Sequence, residues 1–156
     1  ALPILTAVAE HAAPFATGIY SGTKGALTAT VRTIALEAAK QVSYKVAEDD
    51  RYYAFLDINP LTKGHTLVVP KQEVDYLFDL DDETLAGMMV FAKKVAARIK
   101  REIDCARVAV VVLGMEVPHA HIHLIPIKSE NDVDFHREKL KLTPEEFEET
   151  ARMIRE

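Results

Sequence analysis

The chain has 156 residues, a formal net charge of −5, 28% charged residues and 49% hydrophobic residues. That length and balance fit one soluble globular domain able to bury a core without disulfides or a structural metal, and they exclude disordered and fibrous classes. The acidic balance argues against a nucleic-acid polymer or an anionic membrane as partner, since both attract basic surfaces, but leaves a small phosphorylated ligand open.

Cys105 is single, so no internal disulfide or Cys-based zinc site can form, and a reducing cytoplasm is the expected compartment. No apolar run reaches the roughly 18 residues that suggest a membrane span. The apolar start lacks a basic residue and meets Glu10 and His11 at once, so a signal peptide is not expected.

Residues 1–42 carry five charged groups, Glu10, Lys24, Arg32, Glu37 and Lys40, and the other 38 fall in residues 43–156. This break divides the chain into a segment 1–42, not an independent domain, and a domain 43–156. Along the chain, Leu2–Val8 reads as a short strand and Pro14 and Gly18 as a loop. Leu27, Val31, Ile34, Leu36 and Ala38 suit a helix to about Gln41. Tyr53–Ile58 is β-rich and stops at Asn59-Pro60, and His65–Val69 is a second strand halted by Pro70.

Asp81-Asp-Glu opens a long helix to about Glu102, acidic at its start and basic at its end, with a broad stripe from Leu85 to Ile99. The β-branched run Val108–Leu113 reads as a fully buried strand. Residues 120–127 form another strand, and Thr143-Pro-Glu-Glu starts a helix that runs to the end. Short strands around a long helix suggest an α+β fold with an antiparallel sheet of about five strands.

His119, His121 and His123 alternate with Ala120 and Ile122. On a strand this puts three imidazoles on one face, with Ala120, Ile122 and Leu124 toward the core. Imidazoles close together compete for protons, which keeps one neutral and nucleophilic, and the partly protonated cluster attracts phosphate. The same spacing also suits zinc, with His65 or His136 as a further ligand. Spacing alone leaves catalysis and metal binding open.

The segment Pro118-His-Ala-His-Ile-His-Leu-Ile-Pro126 resembles the signature of the histidine triad (HIT) superfamily. A second stretch agrees: Ala54-Phe-Leu-Asp-Ile-Asn-Pro60 followed by Gly64-His-Thr-Leu-Val-Val-Pro-Lys71. The resemblance covers about Tyr44 to the C-terminus. It implies the histidine triad fold and a nucleotide hydrolase or transferase that cleaves at an α-phosphate through a covalent nucleotidyl-histidine, with no cofactor.

By that resemblance His121 is the nucleophile, His119 and His123 orient it and bind phosphate oxygens, and His65 is the fourth histidine. Asp57 accepts from the ribose hydroxyls, while Phe55, Leu56 and Ile58 wall the base pocket. The implied ligand is a purine nucleoside monophosphate or its phosphoramidate conjugate, and the implied assembly is a homodimer through the long helix and the Val108–Leu113 strand.

Two departures stand before the triad. Much of the family has Asn-x-Gly there and a Ser or Thr three residues before the first histidine. Here Gly114 keeps a backbone N–H for a phosphate oxygen, and Glu116 stands in the Ser/Thr position, on the leaving-group side. A nucleotide-binding module with little turnover, or a His-ligated zinc domain, are the alternatives.

The family's usual N-terminal helix is absent. Tyr20-Ser-Gly-Thr-Lys24 and the residues to Glu37 instead resemble the active-site helix of short-chain dehydrogenases. The serine of that family would fall on Ala7, and no Gly-rich dinucleotide fingerprint exists. The expectation is a chimera, an added strand–loop–helix segment before a histidine triad core, with Ile34 and Leu36 covering the base pocket.

Overall fold

A computed structural model describes residues 43–115 and 117–155. The expected N-terminal strand and helix, Tyr20, Lys24, Ile34, Leu36 and Glu116 lie outside the described residues. Tyr44–Glu156 forms one compact unit. Its elements are β1 (Lys45–Glu48), β2 (Tyr52–Leu56), β3 (Thr66–Pro70), α1 (Asp82–Glu102), β4 (Arg107–Val111), β5 (Ile122–Ile127) and α2 (Pro144–Arg155). Short 3-10 turns occupy Leu77–Asp79 and Glu130–Val133.

The strands form one antiparallel sheet in the order β1-β2-β3-β5-β4. Helix α1 starts where Asp81 accepts from the Thr84 backbone N–H at 2.9 Å, which satisfies one orphan donor of the first turn. Acids at its start and Lys100 and Arg101 at its end oppose the helix dipole. Met88, Phe91, Ala92, Val95 and Ile99 are its buried stripe. Met89, expected in that stripe, is exposed, because it falls one residue off the buried face.

The sheet's two faces do different work because side chains alternate along each strand. Tyr52, Ala54 and Leu56 of β2, Val68 of β3, and Ile122 and Leu124 of β5 join the core with α1 and α2. Tyr44 stacks on Phe147 at 4.8 Å and Tyr52 leans on Phe91 at 5.6 Å. On the opposite side, His123 lies in register with Leu67 of the neighbouring strand.

Two expectations change. The run Val108–Leu113 is not fully buried: β4 covers only Arg107–Val111, stands at the sheet edge, and leaves Val110 51% and Leu113 46% exposed. β-Branched residues fit an extended strand, but burial is decided by its place in the sheet. The last strand begins at Ile122 rather than residue 120, so His119 and His121 precede it. Pairing with β3 starts only at the Val68–Ile122 register.

Candidate active site

The site is built where three chain segments leave the sheet. β2 ends at Leu56 and delivers Asp57. Gly64, at φ +88°, turns the chain so that His65 enters just before β3, and the His65 N–H donates to the Thr62 carbonyl at 3.1 Å. A side chain at residue 64 would be strained at that angle and would meet Ile103 at 3.1 Å. β5 and the residues before it carry the triad. The Asp57 N–H donates to the His65 carbonyl at 2.9 Å, which ties the first two segments together.

His65 and His123 meet directly. The Leu61 backbone N–H donates to His65 Nδ1 at 3.1 Å, so a neutral His65 carries its proton on Nε2. His65 Nε2 lies 3.0 Å from His123 Nδ1. Nε2–H therefore donates there, and His123 holds its own proton on Nε2. Burial pushes both imidazoles down to about 3, assisted by Lys139 at His65 and by His121 and His65 at His123, while Asp57 opposes the fall at His123. Both rings are neutral at physiological pH, as the hydrogen-bond chain requires.

His121 Nδ1 lies 2.8 Å from the His119 carbonyl, to which it donates, so in a neutral His121 the lone pair lies on Nε2. Its ring stands edge-on to His123, with centroids 4.8 Å apart. His119 is separate in its contacts. Its Nε2–H donates to the Pro70 carbonyl at 2.9 Å, and its backbone carbonyl orients His121. The three imidazoles thus do not form one uniform row: His121, His123 and His65 form a continuous cluster, and His119 acts on it through the backbone.

Asp57 Oδ1 accepts from the Asn59 backbone N–H at 2.8 Å, and Oδ2 lies 3.7 Å from His65 Nε2. Burial raises the Asp57 carboxyl above the ordinary range, while the Asn59 N–H, His123, His121 and Lys139 pull it back. Phe55 is on the same strand face as Asp57 and packs on Tyr53 at 5.6 Å. Ile58 is half-buried beside it. Leu56 faces the other way and belongs to the core.

Gly114 is exposed at φ +68°, with open space where a Cβ would stand. Among the described residues no hydrogen bond or ring contact joins it to the histidines. His136 is exposed and likewise apart from the cluster. A shallow cavity of about 250 Å³ between Lys63, Ile103 and Lys128 is lined by none of the four histidines, Asp57 or Phe55.

Sequence reasoning missed three partners. The Leu61 N–H and the Pro70 carbonyl are backbone groups, which carry no residue signature. Phe135 stands edge-on to His123 at 5.1 Å and to His65 at 6.4 Å, and a lone aromatic in the polar run Asp132–Arg137 was the available signal.

An α+β unit that sets two buried, hydrogen-bonded histidines beside a third imidazole carries a grouping suited to nucleophilic or acid–base chemistry. Residues 38–130 match the HIT domain, and the chain belongs to that family. It is 40% identical over 120 residues to an uncharacterised HIT-like protein of Borreliella burgdorferi, covering 72% of this chain and 86% of the relative. It is 40% identical over 91 residues to the adenosine 5′-monophosphoramidase HNT1 of Saccharomyces cerevisiae, covering 56% of each.

A zinc-bound histidine triad family protein from Mycobacterium smegmatis superposes with a TM-score of 0.64 at 26% identity, covering 84% of this chain and 93% of that one. These comparisons give no support to a dehydrogenase origin for residues 1–41.

Proposed function

We propose that the protein hydrolyses nucleoside 5′-phosphoramidates, with His121 Nε2 attacking the α-phosphorus. The observation that carries this reading is the fixed His121 tautomer: Nδ1–H is held by the His119 carbonyl at 2.8 Å, so Nε2 is the nitrogen left to react. Attack forms the P–Nε2 bond and breaks the P–N bond to the amine, which takes one proton from solvent and departs neutral, leaving a nucleotidyl-imidazolium; the later hydrolysis returns protons to solvent. Water then cleaves the P–Nε2 bond and releases the nucleoside monophosphate.

His123 Nε2–H donates to the phosphoryl oxygens during attack, and its proton position is set by His65. Asp57 accepts from the ribose diol, whose two hydroxyls suit a carboxylate. Phe55 and Ile58 border the base. A purine is the proposed base, and the yeast phosphoramidase relative supports an adenosine substrate. Gly114 and Glu116 are proposed on the phosphate and leaving-group sides.

The edge strand supports a homodimer. Val110 of β4 and Met89 and Val90 of α1 are exposed, and an uncovered β-branched edge invites pairing with a second copy. Such a dimer would act in the cytoplasm, the compartment the lone Cys105 suits.

A second reading is a zinc site. Asp57, His65 and His123 offer donor atoms within 4.8 Å of one another, and the mycobacterial relative is described as zinc-bound. The fit is incomplete: the two ring nitrogens face each other at 3.0 Å as a hydrogen bond, and the described residues bring three donors to the cluster. Measuring zinc in the purified protein, together with AMP release from adenosine 5′-phosphoramidate before and after chelation, separates the readings. Release that survives chelation supports hydrolysis. Stoichiometric zinc with loss of fold on chelation supports the metal site.

A further inference from the structure

Residues 134–140 follow the triad strand and return across the site. Arg137 holds Asp132 at 3.1 Å on one side of this strap. On the other, the Leu140 N–H donates to the Pro60 carbonyl at 2.9 Å, within the loop that joins Asp57 to His65. The Phe135 ring stands edge-on to both His123 and His65, with interplanar angles of 76° and 80°. Lys139 Nζ sits 5.6 Å from the centre of that ring and donates to the Phe135 carbonyl. Phe135 is outside the main core cluster and only half-buried, so filling the core does not account for its place.

We propose, on the basis of the hydrolase reading above, that Phe135 is a positioning residue for the reaction: its ring seals the His65–His123 hydrogen bond from water and blocks rotation of the His123 imidazole. A neutral N–H···N bond gains little net free energy when water can replace either partner. Excluding water makes breaking it costly, because each nitrogen would be left unpaired. If the His123 ring flipped, the Nε2–H that faces the phosphoryl group would be lost. Lys139, itself in the strap, holds the strap's own turn closed by its cation–ring contact and its bond to the Phe135 carbonyl.

The test uses the full chain with a chelator present and two readouts on Phe135→Ala, Phe135→Gln and Phe135→Leu. The first is solvent exchange of the His65 Nε2–H proton, followed by NMR on ¹⁵N-histidine-labelled protein at neutral pH. The second is steady-state hydrolysis of adenosine 5′-phosphoramidate. Phe135→Ala and Phe135→Gln should speed the exchange at least tenfold and lower kcat at least tenfold, with KM within twofold. Phe135→Leu, which keeps the seal, should stay within threefold of the parent in both.

Unchanged exchange in the Ala or Gln variant overturns the proposal, as does a rise in KM at constant kcat. Gln keeps a side chain of similar length but replaces the apolar ring with an amide that brings water with it, so it carries the test if the Ala variant fails to fold. A parent that turns nothing over defeats the hydrolase reading, and the exchange experiment still decides whether Phe135 is a seal.

Discussion

Acidification should unfold this protein sooner than an ordinary domain of its size. His65 and His123 are buried and neutral, and burial pushes both down to about 3 from an ordinary value of 6.5. Between those values the unfolded chain binds two protons that the folded state refuses. Stability therefore rises with pH across the window: it is complete above about 6.5 and is lost as pH falls toward 3.

Each imidazole contributes about 2 kcal/mol of loss between pH 7.5 and pH 5, or about 4 kcal/mol for the pair. Asp57 works in the opposite direction. Its raised carboxyl takes a proton in the folded state first, so it relieves part of the loss. The histidine contribution alone, about 4 kcal/mol, is a large share of a stability of about 5–15 kcal/mol.

Urea unfolding followed by far-UV circular dichroism suits the measurement, because the chain has no tryptophan. It should be run with a chelator at several pH values from 7.5 to 5. Stability that is flat or rises as pH falls through this window would refute the buried neutral pair.

Further outcomes follow from single contacts. Gly87→Ala places a Cβ 2.3 Å from the Tyr52 hydroxyl, which donates to the Thr84 carbonyl at 2.8 Å. It should cost about 2–4 kcal/mol in urea unfolding while leaving kcat per folded molecule unchanged. Asp57→Asn removes a half-buried carboxylate and should raise KM for adenosine 5′-phosphoramidate about tenfold or more, with kcat within a few-fold. Val110→Lys places a charge on the exposed edge strand, and the proposed dimer predicts that the parent sediments as a dimer and this variant as a monomer.

Much of this fold is legible from local chemistry. Asp81 marks the start of α1 and the basic residues its end, because capping and the dipole act within one turn. The stripe from Met88 to Ile99 follows from helical period alone. β1 was invisible: Lys45-Val-Ala-Glu48 is four residues long with a charge at each end, and only pairing with Tyr53–Phe55 makes it a strand. β4 read as buried because its residues suit a strand interior, whereas its edge position is set by β5.

At the site, alternation correctly separated His123 from Ile122 and Leu124. It failed at His119 because that residue lies before the strand, where hydrogen bonds from Ala120 to Val74 and from His119 to Val117 replace the ladder. Phe135 and Lys139 reach the cluster only through the fold, as does the Leu61 N–H that sets the tautomers. The one local hint is an aromatic at Phe135 within a polar run, and it does not say what the ring touches.

The most direct test is AMP release from adenosine 5′-phosphoramidate by the parent and by His121→Ala, each with a chelator present. The mechanism predicts release by the parent that survives chelation and a loss of at least a thousandfold in the variant, since the nucleophile itself is gone. Release that persists in His121→Ala, or a folded parent that binds AMP and turns nothing over, would contradict it.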